Sequence, residues 1–224
     1  MQSNVTFTDI PMSQINKKSL NLKNHWDMVF KTKKPVEMSW YQPHLQKSLE
    51  LIRRAGISRE AEIIDIGGGA STLVDDLLKA GFKRLSVLDL SAQALTQVKT
   101  RLGLKANQVM WVEANVTEVI LPEHHYDLWH DRAAFHFLTS PEGRKKYVKI
   151  MDKALSPRGV VIIAAFSQKG PERCSGLDVA RHSPESVQAE LGKRYHLLET
   201  AEESHETPFG TRQEFVYCVF KREE

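Results

Sequence analysis

Ile63-Ile64-Asp65-Ile66-Gly67-Gly68-Gly69-Ala70-Ser71 is an apolar strand that breaks into three consecutive glycines. Asp89 closes the next apolar run, Leu85 to Leu88, about 22 residues after the first glycine, near the spacing between glycine turn and ribose carboxylate in nucleoside-binding α/β folds. Glycines let a backbone turn sharply and approach a ligand with no Cβ in the way, and a carboxylate at the tip of the neighbouring strand can accept hydrogen bonds from both ribose hydroxyls. The pairing points to a bound nucleoside. A dinucleotide fingerprint needs G-x-G-x-x-G, and here Gly67 and Gly69 fill the first two places while Thr72 stands in the third. That makes an NAD-dependent reductase the weaker reading.

Outward from this turn, strands and helices alternate. Strands are expected over Ala61 to Ile66, Arg84 to Leu88, Gln108 to Glu113, Tyr126 to His130 and Val160 to Phe166. Helices are expected over Pro43 to Ala55, Ser71 to Ala80, Ser91 to Leu102 and Ser140 to Leu155, with Gly56, Gly81 and Gly103 as stops and Ser140-Pro141 and Ser183-Pro184 as start signals. Continuous apolar strands alternating with helices predict a parallel sheet covered on both faces. Two last strand-like runs, Tyr195 to Ala201 and Gln213 to Lys221, flank the turn Thr207-Pro208-Phe209-Gly210 and predict a closing antiparallel hairpin. The chain reads as an N-terminal extension, residues 1–42, and one domain, residues 43–224. Residues 1–24 read as polar and irregular. His25 to Phe30 and Met38 to Tyr41 are aromatic clusters that either fold down as a lid over the ligand or staple the extension to the sheet edge.

The stretch Asp65 to Ser71 resembles the acidic-x-Gly-x-Gly motif of class I, seven-strand S-adenosylmethionine-dependent methyltransferases, with Ser71 in place of a frequent last glycine. Asp89-Leu90, Glu113-Ala114-Asn115-Val116 and Tyr126 to Asp131 follow in the order of that family's landmarks, so the resemblance covers about residues 60–220. It implies a doubly wound, mostly parallel seven-stranded sheet of order 3-2-1-4-5-7-6 with the last strand antiparallel, S-adenosyl-L-methionine as cofactor, and methyl transfer as the reaction. It also implies roles: Asp65 toward the methionine amino group, Gly67, Gly68 and Gly69 beneath methionine and ribose, Asp89 with Leu90 at the ribose, and Asn115 with Val116 at adenine. His130 and Trp40 complete the implied cofactor set. Asn115 stands where the family commonly has aspartate and keeps only the neutral carbonyl acceptor. Read from the residues alone, Asp65 and Asn115 could instead cap turns.

Methyl transfer from a sulfonium requires alignment, exclusion of water and removal of a proton if the acceptor carries one. His130, Asp131 and His136 follow the fourth strand and are the candidate catalytic groups: the histidines titrate near neutrality and Asp131 could orient a cation. The segment His130 to His136 resembles the acidic-basic segment of elongation-factor and citrate-synthase lysine methyltransferases, yet His136 departs from their second acidic residue. Tyr41, Arg132, Arg173 and Cys174 are candidate substrate contacts, the last two on a long connection, Ser167 to His182. A small molecule is the favoured acceptor, a protein lysine the alternative, and a non-catalytic cofactor-binding module a third reading.

The 31 basic and 28 acidic side chains leave a net charge of +3, which indicates no general attraction to nucleic acid or acidic membrane. Lys31-Thr32-Lys33-Lys34 reads as a solvated segment. No membrane span or signal peptide is expected, and Cys174 and Cys218 read as free thiols, so a cytoplasmic protein is expected. His124, His125, His130 and His136 lack metal-ligand spacing, and no metal is expected.

Overall fold

The computed structural model describes residues 17–223. Seven strands form one sheet: β1 (Glu62–Ile66), β2 (Arg84–Asp89), β3 (Val109–Glu113), β4 (Tyr126–Arg132), β5 (Leu155–Phe166), β8 (Tyr195–Glu206) and β9 (Arg212–Arg222), in the order β3-β2-β1-β4-β5-β9-β8. The first five are parallel, and β9 runs antiparallel to both β5 and β8. A two-residue hairpin, β6 (Arg173–Cys174) with β7 (Leu177–Asp178), stands apart in the long connection. Counting only sheet strands, the order is 3-2-1-4-5-7-6, as the family resemblance implies.

Helices cover both faces. α2 (Gln46–Arg54), α3 (Leu73–Lys79) and α4 (Ala92–Leu102) bury Leu51, Ile52, Leu73, Val74, Leu77, Leu95 and Val98 against one side. α5 (Pro141–Ala154) and α6 (Pro184–Leu191) bury Tyr147, Met151, Val187 and Leu191 against the other. Strands β1, β4 and β5 have no solvated side, which is why they read as unbroken apolar runs. Ser91, Ser140 and Ser183 each cap a helix by accepting from a backbone N–H, and Pro141 and Pro184 occupy first helical positions where no N–H is needed.

Several boundaries differ from expectation, and three of them bear on the site. β4 continues two residues past His130 to Arg132, because β5 runs alongside it through Arg132↔Ala164. β5 begins at Leu155, directly from α5, where a short connection was expected before Val160. The third is at the N-terminus: α1 (Lys17–Thr32) is a helix where irregular chain was expected up to residue 24, and residues 1–16 lie outside the described part. Leu22, Trp26 and Phe30 lie on one stripe of α1, four residues apart, while Ser19, Lys23 and Asp27 lie on the adjacent stripe. Phe30 and Met38 form a small buried cluster with Ala70 and Ala94, joined by Trp26, Val29, Trp40 and Tyr41, so the extension is packed onto the glycine turn and α4.

Candidate active site

A cleft opens over the carboxyl ends of β1, β2 and β4, the ligand position general to open α/β sheets. Its floor is the glycine turn. Gly67 has φ +65°, a left-handed backbone suited to glycine, and its N–H donates to Leu88 O at 2.8 Å. An ideal Cβ at Gly68 would lie 2.5 Å from Asp65 Oδ2 and 2.9 Å from Val87 Cγ1. Any side chain there would fill the space in front of Asp65.

Asp89 closes the turn from β2. Its Oδ2 accepts from Gly69 N–H at 2.9 Å and its Oδ1 from Ser91 N–H at 2.8 Å, and the side chain still lines the cleft. Burial pushes its carboxyl up to about 7 against these two hydrogen bonds, with the Asp65 and Asp27 charges adding to the rise. Leu90, Val116 and Trp40 line the same cleft, whereas Gly69 contributes its N–H to Asp89 and does not line it. Asn115 also lines it, but its Oδ1 accepts from Thr117 N–H at 3.0 Å and Thr117 Oγ1 at 2.9 Å while its Nδ2 donates to Ser19 at 2.9 Å. Both ends of that amide are in use, which is the turn-capping role left open by the sequence.

At β4, side-chain alternation sorts the candidate catalytic residues. Leu128, His130 and Arg132 point to the α2–α4 face, and Trp129 and Asp131 to the α5 face. His130 is fully buried, with Nδ1 2.6 Å from Asp65 Oδ1 and Nε2 2.9 Å from Ser48 Oγ. Asp131 is turned away from the cleft: Oδ1 accepts from the N–H groups of Ala134 and Phe135 at 3.0 and 3.1 Å, and Oδ2 accepts from Tyr147 Oη at 2.8 Å. Burial raises its carboxyl to about 6. Asp131 therefore braces the turn after β4, where Ala133 sits at φ 72°, and does not line the cleft. His136 is likewise outside the cleft. It is fully buried, stacks on Phe166 at 4.2 Å between centroids, accepts from Phe166 N–H at 3.3 Å, and is pushed down to about 3 by burial and by nearby His182 and Arg132. Of the three candidate catalytic groups, Asp131 and His136 thus lie outside the cleft, and His130 lines it while held between Asp65 and Ser48.

Arg132 lines the cleft and ties its roof to the C-terminal hairpin. It donates from Nε to Tyr217 Oη at 2.9 Å, from Nη1 to Trp40 O at 3.1 Å and from Nη2 to Glu203 Oε2 at 3.2 Å, with the guanidinium 4.6 Å over the Phe215 ring. Gln42 Nε2 donates to Glu203 at 3.2 Å and lies 3.1 Å from His205 Nδ1, whose Nε2 is 2.8 Å from Ser39 O. Segment 39–42 is held over the cleft by this network, and Tyr41 and Cys174 line the cleft beside it. Arg173 does not: it is exposed, paired with Asp178 at 3.1 Å on the β6–β7 hairpin. The same holds for Arg181, paired with Glu172 at 2.9 Å.

Trp26 and Phe30, from the aromatic cluster singled out in the sequence, line the cleft; sequence reasoning missed Leu22 beside them, and Ser48, Glu203 and His205, which fix residues that line it. The four-residue spacing on α1 was a usable signal. Glu203 and His205 carried none, because Glu202 to Glu206 is polar throughout and falls outside the expected strand Tyr195 to Ala201, although β8 extends through it. Among the described residues no helix is long and apolar enough to cross a membrane, and no three or more metal-ligating side chains gather.

Residues 63–159 match a family model described as a methyltransferase domain. A curated relative, EEF1A lysine methyltransferase 2 of Danio rerio, is 26% identical over 165 residues, covering 65% of this chain and 69% of that protein. Among solved structures, the chain resembles the 1,6-didemethyltoxoflavin-N1-methyltransferase of Burkholderia thailandensis, determined with S-adenosylhomocysteine, at a TM-score of 0.65 and 16% identity over 98% of this chain and 95% of that one. It resembles the N-methyltransferase NodS of Bradyrhizobium japonicum at a TM-score of 0.66 and 15% identity over 89% and 100% of the two chains. Strand order, glycine turn and family match agree: residues 63–159 are a methyltransferase domain, carried on the fold that the S-adenosylmethionine-dependent methyltransferases above share. The chain is accordingly an enzyme of the transferase class.

Proposed function

We propose that this methyltransferase acts on a small molecule, bound beside S-adenosylmethionine beneath the chain's own N-terminal segment. The observation that carries the reading is the roof: Trp26, Phe30, Met38, Trp40 and Tyr41 line the cleft, and segment 39–42 is fastened by Arg132, Glu203 and His205. A mostly apolar, covered cleft suits a compact acceptor better than a protein surface. The described part of the extension, residues 17–42, acts in this reading as a lid, with α1 across the adenosyl end and segment 38–42 across the acceptor end.

Two features support the cofactor's seat. Asp65 Oδ2 is buried beside the cleft with no hydrogen-bond partner, which suits a cationic amino group, and the missing Cβ of Gly68 keeps that oxygen reachable. Asp89 lies where ribose hydroxyls would meet its remaining lone pairs, and Leu90 and Val116 flank the adenine position. Adenine recognition falls to backbone and apolar contact rather than to the occupied amide of Asn115. Bound there, S-adenosylmethionine supplies an electrophilic methyl group, and the chain's task is to align the acceptor and exclude water.

Neither the histidine nor the acid at the end of β1 and β4 stands free as a general base: His130 is held at both nitrogens and Asp65 faces the amino-group position. This favours an acceptor that arrives without a proton to lose, such as a carboxylate, thiolate or neutral ring nitrogen. A lysine ammonium, with an ordinary pKa of about 10.4, must be deprotonated first. The name of the zebrafish relative keeps a protein lysine as the second reading. A cytoplasmic setting is part of the proposal, supported by two buried, unpaired cysteines, Cys174 and Cys218. The test is incubation with methyl-radiolabelled cofactor and a lysate divided into metabolite and macromolecule fractions: label in the metabolites is expected, and label confined to protein would replace the first reading with the second.

A further inference from the structure

We infer that His130 and Ser48 are positioning residues that aim Asp65 at the α-amino group of the cofactor, and so make binding depend on that group. This rests on the cofactor reading above. Asp65 and His130 are cross-strand partners in the β1–β4 register and share a sheet face, so their side chains meet by construction. An ionised carboxylate only accepts, so the ring proton must sit on Nδ1, facing Asp65 Oδ1 at 2.6 Å. In the neutral ring Nε2 is then an acceptor, and the Ser48 hydroxyl donates to it at 2.9 Å. Ser48 is fully buried on α2, between core residues of the same helix, and cannot swing away.

With the rigid ring held at both ends, the Asp65 carboxylate is fixed in rotation. One oxygen is consumed, and the other is presented toward Gly68. Six buried side-chain polar atoms among the described residues have no partner, and Asp65 Oδ2 is the one whose residue lines the cleft. Native proteins rarely strand a carboxylate oxygen out of water, and an ammonium group arriving in the cleft would satisfy it. A water-exposed acid would attract any cation. A buried one held at a single angle selects a donor at one place.

The test is calorimetric titration of the whole chain with S-adenosylhomocysteine and with its desamino analogue, in which hydrogen replaces the amino group. Loss of a hydrogen bond to a charged group predicts that His130→Leu weakens S-adenosylhomocysteine binding about ten- to a hundredfold. The desamino analogue should change by less than about threefold. His130→Asn, whose amide nitrogen falls near the place of Nδ1, should recover most of the loss, and Ser48→Ala should show a smaller loss confined to the amino-bearing ligand. If His130→Leu does not fold, His130→Asn and Ser48→Ala carry the comparison. Equal weakening of both ligands, or none of either, would overturn the relay and leave these residues as packing. A wild-type protein that binds both ligands equally overturns it too, without touching the cofactor reading. One that binds neither removes both.

Discussion

Asp89 is where pH should control this enzyme most directly. Its carboxyl lies at about 7 in the ligand-free protein instead of its ordinary 3.8, because burial outweighs the N–H groups of Ser91 and Gly69. If the ribose is held by the ionised carboxylate, binding requires that form, and at pH 5.5 only about one molecule in thirty has it. Affinity for S-adenosylhomocysteine should therefore fall about thirtyfold from pH 8 to pH 5.5. Stability of the ligand-free protein should run the other way. A folded pKa raised above the unfolded one makes a contribution that is fully present below about pH 3.8 and lost as pH rises through about 7, reaching about 4 kcal/mol as an upper bound. Ligand and pH thus pull in opposite directions on one side chain. Titration calorimetry between pH 5.5 and 8, with thermal melts with and without ligand, reads both. In Asp89→Asn the affinity should be low and flat with pH. A wild-type affinity that is constant across this window would refute the ribose role of Asp89, whatever the melts show.

Three further outcomes are expected. Gly68→Ala should abolish measurable cofactor binding and lower the melting temperature, since its Cβ would meet Asp65 Oδ2 at 2.5 Å and buried Val87 Cγ1 at 2.9 Å and these must shift; calorimetry with thermal melts by circular dichroism checks both halves. His136→Phe should keep activity within about threefold and leave the shape of the kcat–pH curve unchanged, at a cost of about 1 kcal/mol for the lost acceptor of Phe166 N–H. Because burial depresses His136 to about 3, its contribution to stability is full above the unfolded value near 6.5 and fades as pH falls toward 3, so the same variant should unfold at a lower pH in an acid titration. Arg132→Lys should destabilise the fold by about 3 kcal/mol in urea, since one ammonium cannot reach Tyr217, Trp40 O and Glu203 from a common plane, and should raise the KM of both substrates as segment 39–42 loosens. An unchanged urea midpoint would remove the roof fastening from the argument.

Much of the fold could be read because its strands are buried on both faces and its helices carry local punctuation. Ser91, Ser140 and Ser183 cap where the serines stand in sequence, and Gly67 turns where the glycines begin. α1 escaped because its apolar stripe of Leu22, Trp26 and Phe30 is diluted by lysine and asparagine. It owes its place to tertiary partners far along the chain: Ser19 to Glu118 and Asn115, Lys23 to Glu113, and Asp27 to Ser91. Such contacts, 60 or more residues apart in sequence, leave no periodic trace.

The site was less legible for a related reason, and β4 shows it best. His130-Asp131-Arg132 is one polar triplet in sequence, and all three residues are placed beside the cofactor by nearness to the strand end. Because the strand runs on through Arg132, a period of two governs them instead. His130 and Arg132 go to the cleft face and Asp131 to the opposite one, where it meets Tyr147 of α5. A strand ending at His130 would have released Asp131 into a loop free to face the substrate. Two additional ladder residues, set by pairing with β5, thus decide which charged side chains can reach the cleft, while His130 just before them holds Asp65, the buried acid among the described residues that has an oxygen without a partner.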